Sequence, residues 1–347
     1  MSKSGVFKFE NNCFDPIRYW AAFCVMFLHY TFYALTLSNQ AHGFMTVLRN
    51  IVGFFPGVVV LFALSGYLVS ASLERSENIR QYLTKRVFRL YPELWVCTVI
   101  NLITVCVLTM SLPDKSVLIW LATQVFGIAN TPDSLKDFAT GSINGALWTV
   151  FTEIQLYIVL CIFGKWLKKF SHAKWIALIT ASAVINLICY YIDQNTVGII
   201  PKLLERTFIP YFLWFIIGSY CFHKKESVVP VLKKLLIPLL IVYAVLRLGS
   251  FITVGYYSDI GKGILCPFIV IGAAYALGSL RIKCDLSYGI FLYHWIVLNV
   301  LVHFDLLNNL HWAAAILVYT AATLGLAYLS WRFVGKASDK IVKKLSA

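Results

Sequence analysis

Charge is what this sequence has least of. Only 13% of its 347 residues are Asp, Glu, Lys or Arg, and just 16 are acidic. A soluble domain carries about one quarter charged residues, so a chain this long with so few cannot clothe a water-facing surface, and a soluble enzyme is excluded. Cys-x-x-Cys pairs and His/Cys metal spacings are also missing. The nine cysteines are scattered, mostly inside apolar runs, so neither a disulfide framework nor a zinc site is indicated. No low-complexity linker and no internal repeat is visible, and the missing repeat argues against an inverted-repeat transporter. No small-residue cleavage site follows the first apolar run. That run is therefore expected to be a retained helix, not a signal peptide.

What is abundant is apolar surface: 59% hydrophobic residues and a mean hydropathy of +0.75. The apolar runs are about 18–23 residues long, which suits spanning helices better than the ~10-residue alternating strands of a membrane barrel. The expectation is a single all-α polytopic membrane domain over 1–347. About ten spans are expected, near 14–37, 52–73, 91–110, 144–164, 174–193, 205–222, 230–249, 262–280, 285–304 and 311–334.

The formal charge of +14 would suggest nucleic acid in a soluble protein. Here the basic residues alternate by side. They crowd the N-terminal tail (Lys3, Lys8), the even-numbered loops (Arg75 to Arg89, Lys165 to Lys174, Lys224 to Lys234, Arg281 and Lys283) and the C-terminal end. The odd-numbered loops hold few. That asymmetry predicts both termini in the cytoplasm and accounts for the positive charge by topology, so no nucleic-acid partner is expected.

Within this apolar background a few polar residues need a reason. Arg18 and His29 lie in the first run, DPIRYWAAFCVMFLHYTFYALTL, eleven positions apart. Eleven residues are about three helical turns, so both fall on one face, roughly 16 Å apart along the axis. Ionisable groups inside spans usually face a protein interior or a wet cavity and mark a pathway or a reaction. Glu153, in GALWTVFTEIQLY, and His294, in SYGIFLYHWIVL, each fall about nine residues into a span, so all three can reach one depth. A histidine is the natural partner for Glu153, since a carboxylate can orient the ring. A structural interhelical hydrogen bond for Glu153, and plain packing for His294, remain open.

The second loop, ENIRQYLTKRVFRLYP, has apolar residues at helical spacing and predicts a short amphipathic cytoplasmic helix. Arg86 and Arg89 share one of its faces, and paired guanidiniums suit phosphate oxygens. Tyr82, Phe88 and Tyr91 offer rings for stacking a base. The competing reading is a topology anchor touching anionic lipid. Ser65 and Gly66, in LFALSGYLV, read as a small-residue helix contact, since no Gly-x-Ser-x-Gly elbow surrounds Ser65. The long outward loop from Ser111 to Ile143 begins with an apolar stretch too short to span. It is expected either to lie at the interface or to re-enter, as a lid over an acceptor site or as an ordinary connection.

Taken in order, these stretches resemble the membrane-bound acyltransferase family 3, which includes bacterial O-antigen O-acetyltransferases. Four segments carry the resemblance across nearly the whole chain. They are the Arg-x10-His pattern of Arg18 and His29; VLFALSGYLV followed by Arg-x-x-Arg and Tyr-Pro in KRVFRLYP; LWTVFTEIQLY with Glu153; and SYGIFLYHWI with His294. Ten spans with both ends inside is also the family's arrangement. The chain departs from the pattern at Pro16 and Tyr19, where glycines are common, and at Ile154, where a second acidic residue is usual. The soluble extension of some members is not expected here.

The resemblance implies transfer of an acyl group, usually acetyl, from cytoplasmic acyl-CoA to a hydroxyl of an envelope carbohydrate such as O-antigen or capsule. It implies a multi-pass protein of the bacterial cytoplasmic (inner) membrane, with acetyl-CoA as donor substrate, no bound cofactor and no metal. His29 would be the general base or a transient acyl carrier, with Glu153 holding its tautomer. Arg18, Arg86, Arg89 and Tyr91 would bind acyl-CoA. His294, Ser65 and Trp148 would support the site or face a lipid-linked or polymeric glycan acceptor. Two rivals are a proton-coupled small-molecule transporter using His29 and Glu153, and a non-catalytic partner in an envelope complex.

Overall fold

The structure is a computed structural model that describes residues 11–125, 128, 130–249 and 253–344. Lys3 and Lys8 of the N-terminal tail lie outside the described residues. All regular structure among the described residues is helical. In chain order the helices are α1 (Phe14–Leu37), α2 (His42–Val52), α3 (Gly57–Glu74), α4 (Ile79–Thr109), α5 (Lys115–Val125), α6 (Leu147–Leu167), α7 (His172–Asn195) and α8 (Ile199–Glu205). There follow α9 (Phe212–His223), α10 (Lys225–Lys234), α11 (Leu236–Gly249), α12 (Ile260–Ala276), α13 (Ser287–His303), α14 (Leu306–Asn309), α15 (Trp312–Ser330) and α16 (Lys336–Lys344), with one π-helical turn at Trp331–Gly335 joining the last two.

Among the described residues six helical runs are long and apolar enough to cross a membrane, and seven if α10 and α11, bent by 68°, form one broken span. The three other expected spans are shorter helices, Ile209–His223, Ile260–Ala276 and Ser287–His303. The reason is visible in α13. Nearly all of its side chains are buried, including Ile290, Leu292 and His294 at 0% exposure, so it is surrounded by protein and does not have to match the thickness of lipid. The outer helices do the opposite. Ile162, Ile188, Ile241 and Leu317 are 51–69% exposed, a perimeter of large apolar side chains that only lipid satisfies. The chain is a multi-pass membrane protein.

The expected amphipathic helix of the second loop is not a separate element. Ile79 to Thr109 is one continuous helix of 31 residues. It starts at Asn78, whose side chain accepts from the Gln81 N–H, and it runs through Pro92 into the apolar segment. The basic stretch is thus the first part of a spanning helix, and Arg86 and Arg89 are carried by its face toward the bundle. The apolar start of the long loop forms α5; Phe126, Gly127 and Ala129, which belong to the same expected stretch, lie outside the described residues.

The tightest crossing is between α3 and α9. A Cβ on Gly66 would lie 1.9 Å from the Phe215 carbonyl oxygen, and one on Gly218 would lie 2.0 Å from that of Ala63. The two glycines let the backbones touch, and Ser70 reaches Ser219 across the same interface at 2.8 Å. Gly57 similarly admits α1, since its Cβ would fall 2.6 Å from the Ala21 carbonyl. These contacts hold α3 against α1 and fix where the polar residues of both helices point.

Candidate active site

Two polar clusters lie along the inner face of α1. At one end of the bundle, called here the arginine end, the α1 residue Arg18 bonds Asp15 at 2.8 Å and stands 3.2 Å from Asp285. Arg89 of α4 meets the same Asp285 carboxylate at 2.5 Å. Asp285 belongs to the turn ahead of α13, and that turn is strapped to α1. Tyr19 donates to the Cys284 carbonyl and accepts from the Leu286 N–H, while Asp15 accepts from the Ile282 N–H. Burial alone would disfavour the Asp285 charge, but the Arg89 and Arg18 guanidiniums and the Ser287 hydroxyl outweigh it and hold the carboxyl well below the usual carboxylate range.

Arg18, Arg86 and Arg89 line one cavity of about 140 Å³, and Ser65, Glu153 and Phe291 line it as well. Arg86 donates to the Ser72 hydroxyl at 2.9 Å and lies over the Tyr157 ring, 5.7 Å from its centroid. The Nε atoms of Arg18 and Arg86 are buried without a partner. Buried donors are normally satisfied, so two guanidinium N–H groups beside one cavity suit a ligand that brings hydrogen-bond acceptors.

Glu153 accepts from Ser65 at 2.5 Å and from Tyr157 at 2.6 Å. It is therefore oriented by two hydroxyls, and neither imidazole is its partner. The expectation that Glu153 orients His29 is corrected: α3 stands against α6 and places Ser65 at the carboxylate. Ser65 itself is corrected from a packing residue to a polar one, and only its neighbour Gly66 serves as the small-residue contact.

The partner of His29 is His294. Their Nδ1 and Nε2 atoms are 2.9 Å apart, and the rings are parallel within 2°. His294 is wholly buried, and its Nδ1 lies 3.1 Å from the Ile290 carbonyl oxygen. A carbonyl only accepts, so Nδ1 of His294 carries the proton and its Nε2 offers a lone pair. His29 Nδ1–H donates to that lone pair. The remaining nitrogen, His29 Nε2, then carries an unshared pair, which is what a general base needs. The Trp295 ring stands edge-on to His29 at 4.7 Å. His29 is half-buried. The imidazole pair does not line the arginine cavity; Phe291 does, and its ring centroid lies 5.9 Å from that of His294.

The long loop closes the opposite end. Tyr33 donates to the Thr140 carbonyl at 3.0 Å, and Trp295 Nε1 donates to the Thr140 hydroxyl at 3.0 Å. Asn299 accepts from the Thr140 N–H and hydroxyl and donates to the carbonyls of Ser142 and Ile143. The segment from Thr140 to Ile143 is thus tied to α1 and α13 one to two turns beyond the imidazoles.

The structure therefore joins Arg18, Arg86, Arg89, Ser65 and Glu153 around one cavity and pairs His29 with His294. Tyr91 is not with them. It packs edge-on against Trp95 at 5.6 Å, because its position on α4 turns away from Arg86 and Arg89. Tyr82 is wholly buried and bonds the Tyr157 carbonyl, so it offers no ring face to a base. Trp148 lies at the start of α6 against Tyr211, 4.9 Å between centroids, and lines a second cavity. Sequence reasoning missed Asp285, Tyr157, Thr140 and Asn299. Asp285 had a signal: it is one of only 16 acidic residues and sits two positions before the segment that carries His294.

Known proteins resemble the chain over nearly its whole length. An O-acetyl transferase of Shigella phage Sf6 is 26% identical over 365 aligned positions, covering 96% of this chain and 98% of the relative. Nodulation protein 10 of Rhizobium leguminosarum bv. viciae is 27% identical over 360, covering 97% and 96%. No solved structure matches the chain. The family described as the acyltransferase domain matches residues 11–332, a stretch that holds the arginine cavity and both imidazoles, and the chain belongs to that family, acyltransferase 3.

Proposed function

We propose that the protein is an O-acyltransferase, with acetyl the expected group, which moves an acyl group from acyl-CoA to a hydroxyl of an envelope carbohydrate such as O-antigen or capsule. We place it in the bacterial cytoplasmic membrane with the arginine end, where the basic loops collect, facing the cytoplasm. The observation that carries this reading is the tautomer chain from the Ile290 carbonyl through His294 to His29, which leaves His29 Nε2 as a free base. The name of the Sf6 relative agrees with the chemistry.

In this reading the CoA phosphates bind at Arg18 and Arg86, whose buried Nε–H groups want acceptors, and at Arg89, which Asp285 holds in place. Glu153, fixed by Ser65 and Tyr157, accepts from an amide N–H of the donor's arm. The acyl end passes Phe291 toward His29. The acceptor hydroxyl approaches from the opposite end, gives its proton to His29 Nε2, and its oxygen attacks the thioester carbonyl. The carbon–oxygen bond forms, the carbon–sulfur bond breaks, and the proton returns to the departing CoA thiolate. His294 keeps the His29 ring turned the right way and shares the positive charge that develops on it.

Purified protein in nanodiscs, given isotope-labelled acetyl-CoA and envelope oligosaccharide, tests the proposal. A labelled acetyl ester on the sugar, absent with His29→Ala, is the expected result. Solute movement in liposomes without a covalent product would instead support a carrier. Mass spectrometry of envelope glycans from cells with and without the gene identifies the acceptor.

A further inference from the structure

The second cavity lies at the end of the bundle opposite the arginines and measures about 760 Å³, several times the arginine cavity. Its aromatic wall is Trp148, Tyr211 and Tyr257. Trp148 lies 4.9 Å from Tyr211 and 5.8 Å from Tyr257, and Tyr257 is 48% exposed. The charged residues around it balance: Asp193, Glu205 and Asp259 against Lys202, Arg247 and Lys262. Asp259 and Lys262 pair with each other. Among the described residues, the Glu205 carboxylate and the Arg247 guanidinium have no ion-pair partner, so both are available to a ligand.

This composition differs from the arginine cavity in a way that selects the ligand. Three guanidiniums suit an anion; a balanced set of carboxylate and guanidinium groups beside open aromatic faces suits a neutral molecule with many hydroxyls. Sugar hydroxyls donate to carboxylates and accept from guanidinium, while the apolar face of a pyranose lies on an aromatic ring. The platform is held in place deliberately. Tyr257 has φ of +63°, a conformation that non-glycine residues seldom adopt, and the turn is clamped because Asn186 accepts from the Tyr256 N–H and donates to the Tyr256 carbonyl. One chain of packing contacts runs from the cavity wall to the imidazoles. Gly145, where a Cβ would lie 2.4 Å from the Trp295 ring, is three residues before Trp148, and Trp295 is edge-on to His29.

We infer that this cavity binds the sugar portion of the acceptor glycan, with Trp148 and Tyr257 as stacking platforms and Glu205 and Arg247 as hydroxyl partners. The inference rests on the acyl-transfer reading above. Its test is titration calorimetry on full-length protein in nanodiscs. The probe is the oligosaccharide released by mild acid from the envelope polysaccharide of the producing cells, with no acyl donor present. Wild type should bind it. Trp148→Ala and Tyr257→Ala should each weaken binding by about tenfold, the worth of one stacking contact, with acetyl-CoA affinity unchanged as proof of folding. Tyr257→Phe, which keeps the ring, should recover most of what Tyr257→Ala loses. No binding by wild type, unchanged saccharide affinity in both alanine variants, or a parallel fall in acetyl-CoA affinity overturns the assignment. Turnover separates the two readings. If wild type transfers acetyl but both alanine variants keep the acceptor KM, the cavity assignment alone is wrong; if wild type forms no ester, the acyl-transfer reading is wrong.

Discussion

Arg89 and Asp285 meet at 2.5 Å, and the same carboxylate stands 3.2 Å from Arg18, so one acidic turn residue ahead of α13 joins α1 and α4 through two of the arginines that line the cavity. The pairing has a pH signature. The Asp285 carboxyl is held below its ordinary value of 3.8, so its contribution to stability is fully present above that pH and fades as pH falls toward the lower folded-state value. Asp285→Asn should therefore destabilise the protein in detergent at pH 7 by about 2 kcal/mol, the scale of hydrogen bonds to charged groups, read out as a lower thermal midpoint. The gap to wild type should narrow by pH 3. An equal gap at both pH values would show that the charge is not what stabilises.

The imidazole pair makes a kinetic prediction. His29→Ala should reduce kcat by about 10²- to 10⁴-fold, the usual contribution of a positioned base, without loss of insertion. His294→Ala should reduce kcat less, with donor KM unchanged, because it removes the group that sets the His29 tautomer. The double variant should be no slower than His29→Ala alone, since residues that act as a unit are not additive. Additive losses measured in membranes would mean that the two rings act separately.

Arg86→Ala and Arg18→Ala should weaken acetyl-CoA binding by about tenfold or more, as expected for charge-assisted phosphate contacts. Affinity for dephospho-CoA should fall less. Calorimetry with both ligands gives the comparison; an unchanged CoA affinity in both variants removes Arg18 from donor binding and returns Arg86 to a topology anchor.

Gly66→Ala should be among the most damaging small substitutions in the chain. The added methyl would meet the Phe215 carbonyl, which is backbone and cannot swing aside. The expected outcome is loss of monodisperse protein in detergent, whereas Gly325→Ala, with open space around it, should behave as wild type.

Asn299→Ala should release the segment from Thr140 to Ile143, which it holds through both its amide nitrogen and its oxygen. Faster proteolysis within that segment, with unchanged acetyl-CoA affinity, is the expected result. Unchanged cleavage would show that Tyr33 and Trp295 suffice to hold it.

The sequence by itself determined the solvent. So few charges and such long apolar runs leave only a helical bundle in lipid, because backbone groups there must bond within their own helix. It also determined that Arg18 and His29 share a face, since helical periodicity is local geometry, and the Arg-x10-His, Arg-x-x-Arg, Glu153 and His294 segments pointed to the family. Tertiary structure decided the partnerships. Glu153 and His294 lie at similar depths in their spans, and either could have served His29; helix rotation and the glycine-mediated approach of α3 gave the carboxylate to Ser65 and Tyr157 and the imidazole to His294. Span length was likewise not legible. A buried helix such as α13 is as apolar as a lipid-facing one, and hydropathy cannot tell protein from lipid as its surroundings. Asp285 was hidden for a third reason: its role depends on two guanidiniums from helices 196 and 267 positions away, and no local pattern records a contact across the bundle.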